Sequence, residues 1–365
     1  MTSIYKALAT PAEPILALSL LQPTNPKTTS APYAPSSSRL AGASLSASNW
    51  NLALDIEKGL YPPSKDNLFH PGKVVGFSRL RGRPNDADDD ELVGEVPRRL
   101  LTTWLQDQNH SNHETQSTST QPAKRAYIVH PQTSKIFSPQ ALLTSLLLHS
   151  QHNSPEARNE AIALLDSVTL FPVHDFASAT DAIQDVADRL ATSTSSPENE
   201  QQGEQNKPQT QTQTVVIITA LDTLTDAVIR SSNALRGAAV LSGALRTISQ
   251  LSRVYSQNLS VLLVNTGGVG PSPYQTNQSQ QSQAGDNAAG AGSGAGRGSG
   301  SEAGIQSMFS TTDTPLFPSL LMKTLDQGID THLLVSRVKN ERVVEVVKDR
   351  VGDGSGRWCV WPGNS

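Results

Sequence analysis

Residues 215–218 read Val-Val-Ile-Ile, and residues 259–264 read Leu-Ser-Val-Leu-Leu-Val. A strand with one wet face alternates apolar and polar residues. An unbroken β-branched or aliphatic run marks a strand covered on both faces. Upstream, Lys73–Phe77 (KVVGF), Ala126–Val129 (AYIV) and Val168–Val173 (VTLFPV) read as further short strands. Helical stripes lie between them. Val96, Leu100, Leu101, Trp104 and Leu105 recur at helical spacing, as do Ala179, Ala182, Ile183, Val186, Ala187 and Leu190. Ser138-Pro139 has the N-cap and first-turn proline of a helix running to Leu148. Leu241, Ala244, Leu245, Ile248, Leu251 and Tyr255 stripe a longer one. Strand–helix alternation of this kind requires crossovers, hence an α/β chain with a mostly parallel central sheet. Three close-set strands at the end (331–335, 343–347 and Trp358–Trp361) predict an antiparallel extension at one edge.

The chain has 365 residues and a formal net charge of −4, with 36% hydrophobic and 17% charged residues. That apolar fraction is low, so part of the chain is expected not to bury a core. Gln106–Lys124, Ser193–Gln213 and 267–312 are rich in Gln, Ser, Gly and Thr and predict disordered insertions. The segments between them are too short to fold alone, which favours one domain over 51–365 carrying insertions. Residues 1–50, rich in Ser, Ala and Pro, read as a flexible leader. The single cysteine, Cys359, excludes an internal disulfide framework and fits a reducing compartment. No run approaches the roughly 18 apolar residues of a membrane span. The near-neutral charge argues against a surface that grips nucleic acid everywhere, while leaving room for a local patch.

The order of these elements, with their local sequences, resembles the ATPase core of the RecA-like recombinases and their eukaryotic paralogues. The resemblance rests on Leu54-Asp55, Gly59 and Pro71–Gly76 before the first core strand, and on Tyr127-Ile128 with Phe137-Ser138-Pro139. It continues through Val168–Phe171 with His174–Phe176, Val215–Ile218 at the Walker B strand, and Asn258–Asn265 before the second DNA-binding loop. Glu345–Arg350 with Gly352 and Arg357-Trp358 match the closing β-ribbon. It spans about residues 50–361 and implies a RecA-like three-layer core.

The family's catalytic signatures do not accompany it. Phosphate binding needs a Gly-rich loop ending in Gly-Lys-Ser/Thr. This chain has no such tripeptide, only a degenerate loop near Gly76, Ser78 and Gly82, followed by the acidic run Asp86–Glu91. A run of carboxylates there repels a triphosphate. Thr219 takes the place of the Walker B aspartate, with Asp222 three residues on, and Val129–Phe137 has no carboxylate to orient a water. The resemblance therefore implies a nuclear, non-enzymatic adaptor in homologous recombination and DNA repair. It would carry no cofactor or metal, and its partner would be another RecA-like paralogue or recombinase and, weakly, DNA. The alternatives are a RecA-fold subunit of the Elongator tRNA-modification machinery and an ATPase with an atypical phosphate loop.

Candidate nucleic-acid contacts are Lys73, Arg79, Arg81 and Arg83, balanced by the acids that follow. Arg230 and Arg236 fall where the family's first DNA-binding loop lies, and equally suit the solvated start of a helix. Arg297 is the one cation in Gly267–Ser307, which is thin for DNA contact. Phe176 and Ala179 match the F-x-x-A pattern of recombinase docking, but their place at a helix start reads as packing. His110, His113, His149 and His152 have no third ligand at metal spacing. Trp358 and Trp361 read as strand packing or as a partner surface at the edge.

Overall fold

The structure is a computed structural model that describes residues 60, 69, 71–80, 89–110, 123–149, 154–194, 212–270, 305–309, 315–339 and 341–361. All the strands that the sequence suggested enter one eight-stranded sheet. In chain order they are β1 (Val74–Leu80), β2 (Lys124–Pro131), β3 (Val168–Val173), β4 (Gln213–Thr219), β5 (Leu259–Val269), β6 (Thr331–Val338), β7 (Glu341–Asp349) and β8 (Trp358–Trp361). Across the sheet the order is β3-β2-β4-β5-β1-β6-β7-β8. The Val215 and Val261 strands are neighbours, with Val216 opposite Val261.

The antiparallel extension differs in one respect from expectation. β6 pairs parallel with β1, and only β7 and β8 bring antiparallel pairings. The segment before β6 sets this. Asp330 donates its N–H to the Val74 carbonyl, and its carboxylate accepts from the Val74 N–H at 2.9 Å. β6 is thereby started level with β1 and pointing the same way.

Period-two alternation sorts the strand residues onto two covered faces. One face carries Val75, Phe77, Ile128, Ile217, Leu262, Val264, Leu333 and Val335. It packs under α1 (Asp89–His110) and α2 (Pro139–His149) through Val93, Val96, Leu101, Leu105 and Leu142. The other carries Val74, Tyr127, Val129, Val216, Ile218, Val261 and Leu263. It is covered by α4 (Phe176–Thr194), α5 (Leu221–Ser231), α6 (Ala234–Val254) and α7 (Leu320–Gln327). The result is a three-layer α/β architecture with two apolar seams.

Helix ends follow local chemistry. Ser138 Oγ accepts from Ala141 N at the start of α2, and Asn233 Oδ1 from Arg236 N at the start of α6. Ser154 caps a helix absent from the sequence reading, α3 (Pro155–Leu165). Its weak amphipathy hid it: among its side chains only Ala161 is buried. α7 was unread as well, although Ser319 Oγ accepts from Met322 N.

Three of the segments read as insertions are narrower than expected. α1 continues to His110, and Lys124 already belongs to β2. α4 reaches Thr194, and Gln213 opens β4. β5 runs on to Val269, and 305–309 returns to the fold. The ends of the third segment meet at Leu316. Its carbonyl accepts from Gly270 N at 2.8 Å, and its N–H donates to Ile305 O at 2.9 Å. Glu345 then holds the returning chain through Ser307 Oγ at 2.6 Å and Met308 N at 2.8 Å. The framework is thus tied on both sides of residues 272–304. Replacing them with a short Gly-Ser linker is expected to leave the melting temperature nearly unchanged, since loop length alters closure entropy only slowly. A scanning calorimetry shift of more than a few degrees would show that the segment is part of the fold.

Candidate functional site

In a parallel α/β sheet, ligands are handled at the carboxyl ends of the strands. Here those ends come from β1, β2, β4 and β5. Gly76 and Ser78 lie inside β1, not in a loop, and pair with Leu263 and Asn265 of β5. Gly76 is small for packing. A Cβ there would stand 2.5 Å from Ile329 Cδ1. Gly82, Arg81, Arg83 and Arg297 lie outside the described residues.

Ser78 is fully buried and belongs to a side-chain relay. Asn265 Nδ2 donates to Ser78 Oγ at 2.8 Å, and Ser78 Oγ is 2.7 Å from His332 Nε2. His332 Nδ1 is 3.2 Å from Asp326 Oδ1, and Lys348 Nζ is 2.7 Å from Asp326 Oδ2. The charged end fixes the proton positions. Asp326 accepts from Nδ1–H, so Nε2 accepts from the serine hydroxyl. Burial pushes His332 below its ordinary pKa. Burial alone would raise Asp326, but hydrogen bonds from His332 and Lys348 hold it below the usual carboxylate value. The order Ser–His–Asp is that of a nucleophile and its base. A nucleophile needs access, and Ser78 and His332 are both 0% exposed, with the Phe317 ring tilted against the imidazole at 5.1 Å. The relay ties β5, β1, β6, α7 and β7 together.

The end of β4 is turned inward too. Thr219, the last residue of β4, is buried. Ala220 follows at φ 61°, a left-handed conformation that L-residues adopt at a cost of about 1 kcal/mol. This bend starts α5 at once and places Asp222 in its first turn, 2% exposed. Asp222 Oδ2 accepts from Gly267 N at 2.6 Å. Gly267 has to be glycine for this approach, because a Cβ would lie 2.8 Å from that oxygen. Burial pushes the Asp222 carboxyl up to about 6, against the backbone N–H groups of Gly267, Thr223 and Thr266 that favour its charged form. At the end of β2, buried His130 donates Nδ1–H to the Pro131 carbonyl at 3.0 Å.

Of the proposed basic cluster, the two described members do not come together. Lys73 and Arg79 stand at opposite ends of β1, about 20 Å apart at 3.3 Å per residue. Lys73 is half-buried at the amino end, while Arg79 donates Nε–H to the Thr266 carbonyl at 3.3 Å. Arg230 ends α5 and Arg236 lies in the first turn of α6, both exposed. The region expected to be a DNA-binding loop is a tight connection between two helices. Phe176 and Ala179 are buried in the core seam. Trp361 is buried, and Trp358 packs edge-on against Phe309 at 5.3 Å. Nothing is described for the side chains of His110, His113, His149 and His152, and among the described residues no group of three metal-ligating side chains occurs. No described helix is long and apolar enough to cross a membrane.

The relay and a second cluster were invisible in the sequence. Ser78 and His332 are 254 residues apart, and Glu95 and Arg342 are 247 apart. No local pattern links such pairs. Compared with protein-family models and with curated proteins, the chain matches none.

Proposed function

We propose that this chain is a non-catalytic RecA-like recombinase paralogue, a nuclear adaptor that supports homologous recombination in complex with another RecA-like protein. One observation carries the absence of catalysis. Two polar side chains near the carboxyl ends of β1 and β4, Ser78 and Asp222, are bonded within the protein. Asp222 faces the Gly267 N–H, and Ser78 is enclosed between Asn265 and His332. A Mg²⁺-triphosphate site needs donors and a carboxylate aimed outward at the phosphates. The family reading is supported by the segments that carry the resemblance. They fall on successive strands of one sheet, with β4 beside β5 and a closing β6–β7 ribbon.

Two measurements test this. Calorimetry with Mg²⁺-ATP on the full chain is expected to give no binding in the micromolar range and no phosphate release. Tight binding or turnover would overturn the non-catalytic reading. Co-purification with mass spectrometry is expected to return RecA-like recombination proteins, and recovery of Elongator subunits would overturn the adaptor reading.

A further inference from the structure

We propose that β8 is a self-association edge, on which a second copy of this chain adds its own β8 in antiparallel register centred on Cys359. The ladder fixes which way the backbone of β8 points. Val346 donates its N–H to the Arg357 carbonyl at 2.8 Å and accepts from the Gly356 N–H at 2.7 Å. Opposed residues of an antiparallel pair alternate between hydrogen-bonded and non-hydrogen-bonded. Counting from Val346, Val344–Cys359 and Arg342–Trp361 are bonded pairs, while Glu345–Trp358 and Val343–Val360 are not. Trp358 and Val360 therefore turn both N–H and C=O away from β7. Among the described strands, β7 is the one neighbour of β8, so these groups face the open edge. In a two-fold pairing centred on Cys359, Trp358 of each copy faces Val360 of the other. Every outward N–H then meets an outward carbonyl. A shift of one residue would turn these groups away from each other.

Three features point to a second copy as the occupant. The first is that the two edges of the sheet are treated differently. β3, at the far edge, carries Pro172, which removes a donor and blunts strand addition. β8 reads Trp-Cys-Val-Trp, with neither charge nor proline. Arg357 precedes it but does not guard it, since its side chain is buried and paired with Asp353 at 2.8 Å. The second feature is self-complementarity. Cys359 and Trp361 face the α1 seam, so Trp358 and Val360 lie on the opposite face. Val360 is 45% exposed there, and Trp358 is half-buried beside Phe309. The pairing sets each Val360 against the other copy's Trp358, an aromatic–β-branched pair that stabilises sheets. An uncharged edge offers a charged strand nothing to pair with. The third feature is clearance. α1 packs on β1 and β5, and β8 lies three strands beyond β1, about 14 Å away at the usual strand spacing. A two-fold axis normal to the sheet keeps the two α1 helices apart. A four-residue edge is small, so the dimer is expected to be weak and reversible. The inference stands on this geometry and not on the recombination reading. Failure to recover recombination partners would leave it intact.

The test is sedimentation velocity of the full chain across a concentration series, where a reversible monomer–dimer equilibrium is expected. Val360→Pro removes an outward N–H but no bond of the β7–β8 ladder, and is expected to abolish the dimer. Val360→Lys is expected to do the same by setting a charge on the edge, without constraining the backbone. Val360→Thr, which keeps the branched shape, is expected to retain the dimer. Residue-resolved hydrogen exchange reads the register directly. The Trp358 and Val360 amides are expected to gain protection as concentration rises, while the Cys359 amide is protected at every concentration. A chain that stays monomeric throughout, or a dimer that survives both Val360→Pro and Val360→Lys, would overturn the proposal. So would a monomer whose Trp358 and Val360 amides are protected at every dilution, because the edge would then be covered by a segment of the same chain.

Discussion

Replacing Glu95 with Ala is expected to lower the unfolding free energy by about 3–5 kcal/mol, the cost of breaking a buried ion pair from one side. Glu95 is bonded to two guanidinium groups. Oε1 is 2.7 Å from Arg99 Nη2, and Oε2 is 2.5 Å from Arg342 Nη1. Its side chain is 10% exposed and that of Arg99 is 9%. Both guanidinium groups also lie over the indole of Trp361, at 5.4 and 5.8 Å. Without the carboxylate, two like charges would flank one buried ring, in a place where burial already lowers the Arg99 pKa. The cluster joins α1 to β7 and to the edge strand β8, so its loss should free that edge. Urea unfolding by circular dichroism measures the effect. A loss below 1 kcal/mol would mean that water reaches the cluster in the native state. Filling the site with apolar residues in place of all three charged groups can be nearly neutral, so the single substitution is the informative one.

Asp222→Asn is expected to change the pH dependence of stability by about 3 kcal/mol, the equivalent of moving a carboxyl from 3.8 to about 6. The folded-state value is raised, so the native protein binds this proton more tightly than the unfolded chain does. The contribution of Asp222 is therefore fully present below pH 3.8 and is lost as pH rises through about 6. Asparagine keeps an oxygen for the Gly267 N–H but does not titrate. The stability of the variant relative to wild type should rise by that amount between about pH 4 and pH 7. Taking the difference between two chains cancels every other titrating group. A flat difference would show that Asp222 is solvated in the folded protein.

Much of the architecture could be read from local patterns. The runs Val215–Ile218 and Leu259–Val264 are buried on both faces because the sheet is covered on both, and their composition already required that. The stripe from Val96 to Leu105 packs as one face of α1, and that from Ala179 to Leu190 as one face of α4. α3 was missed because it buries little, leaving hydrophobic periodicity with nothing to report. Segments judged by composition alone were drawn too wide. Ser307 is polar, yet it is buried by a hydrogen bond to Glu345, which only the fold brings to it.

The chemistry at the sheet ends divides differently. Missing motifs are a property of the chain, and the lack of a Gly-Lys-Ser/Thr tripeptide is legible in one dimension. Where the remaining polar groups point is not. Ser78, Asn265, His332, Asp326 and Lys348 become neighbours because β5, β1, β6 and β7 lie side by side, and α7 crosses them. The same stacking separates Lys73 from Arg79. Periodicity encodes which face of an element is buried, because burial depends on each residue's own transfer free energy. Pairing between elements depends on register and crossover, and these are settled only when the whole sheet closes.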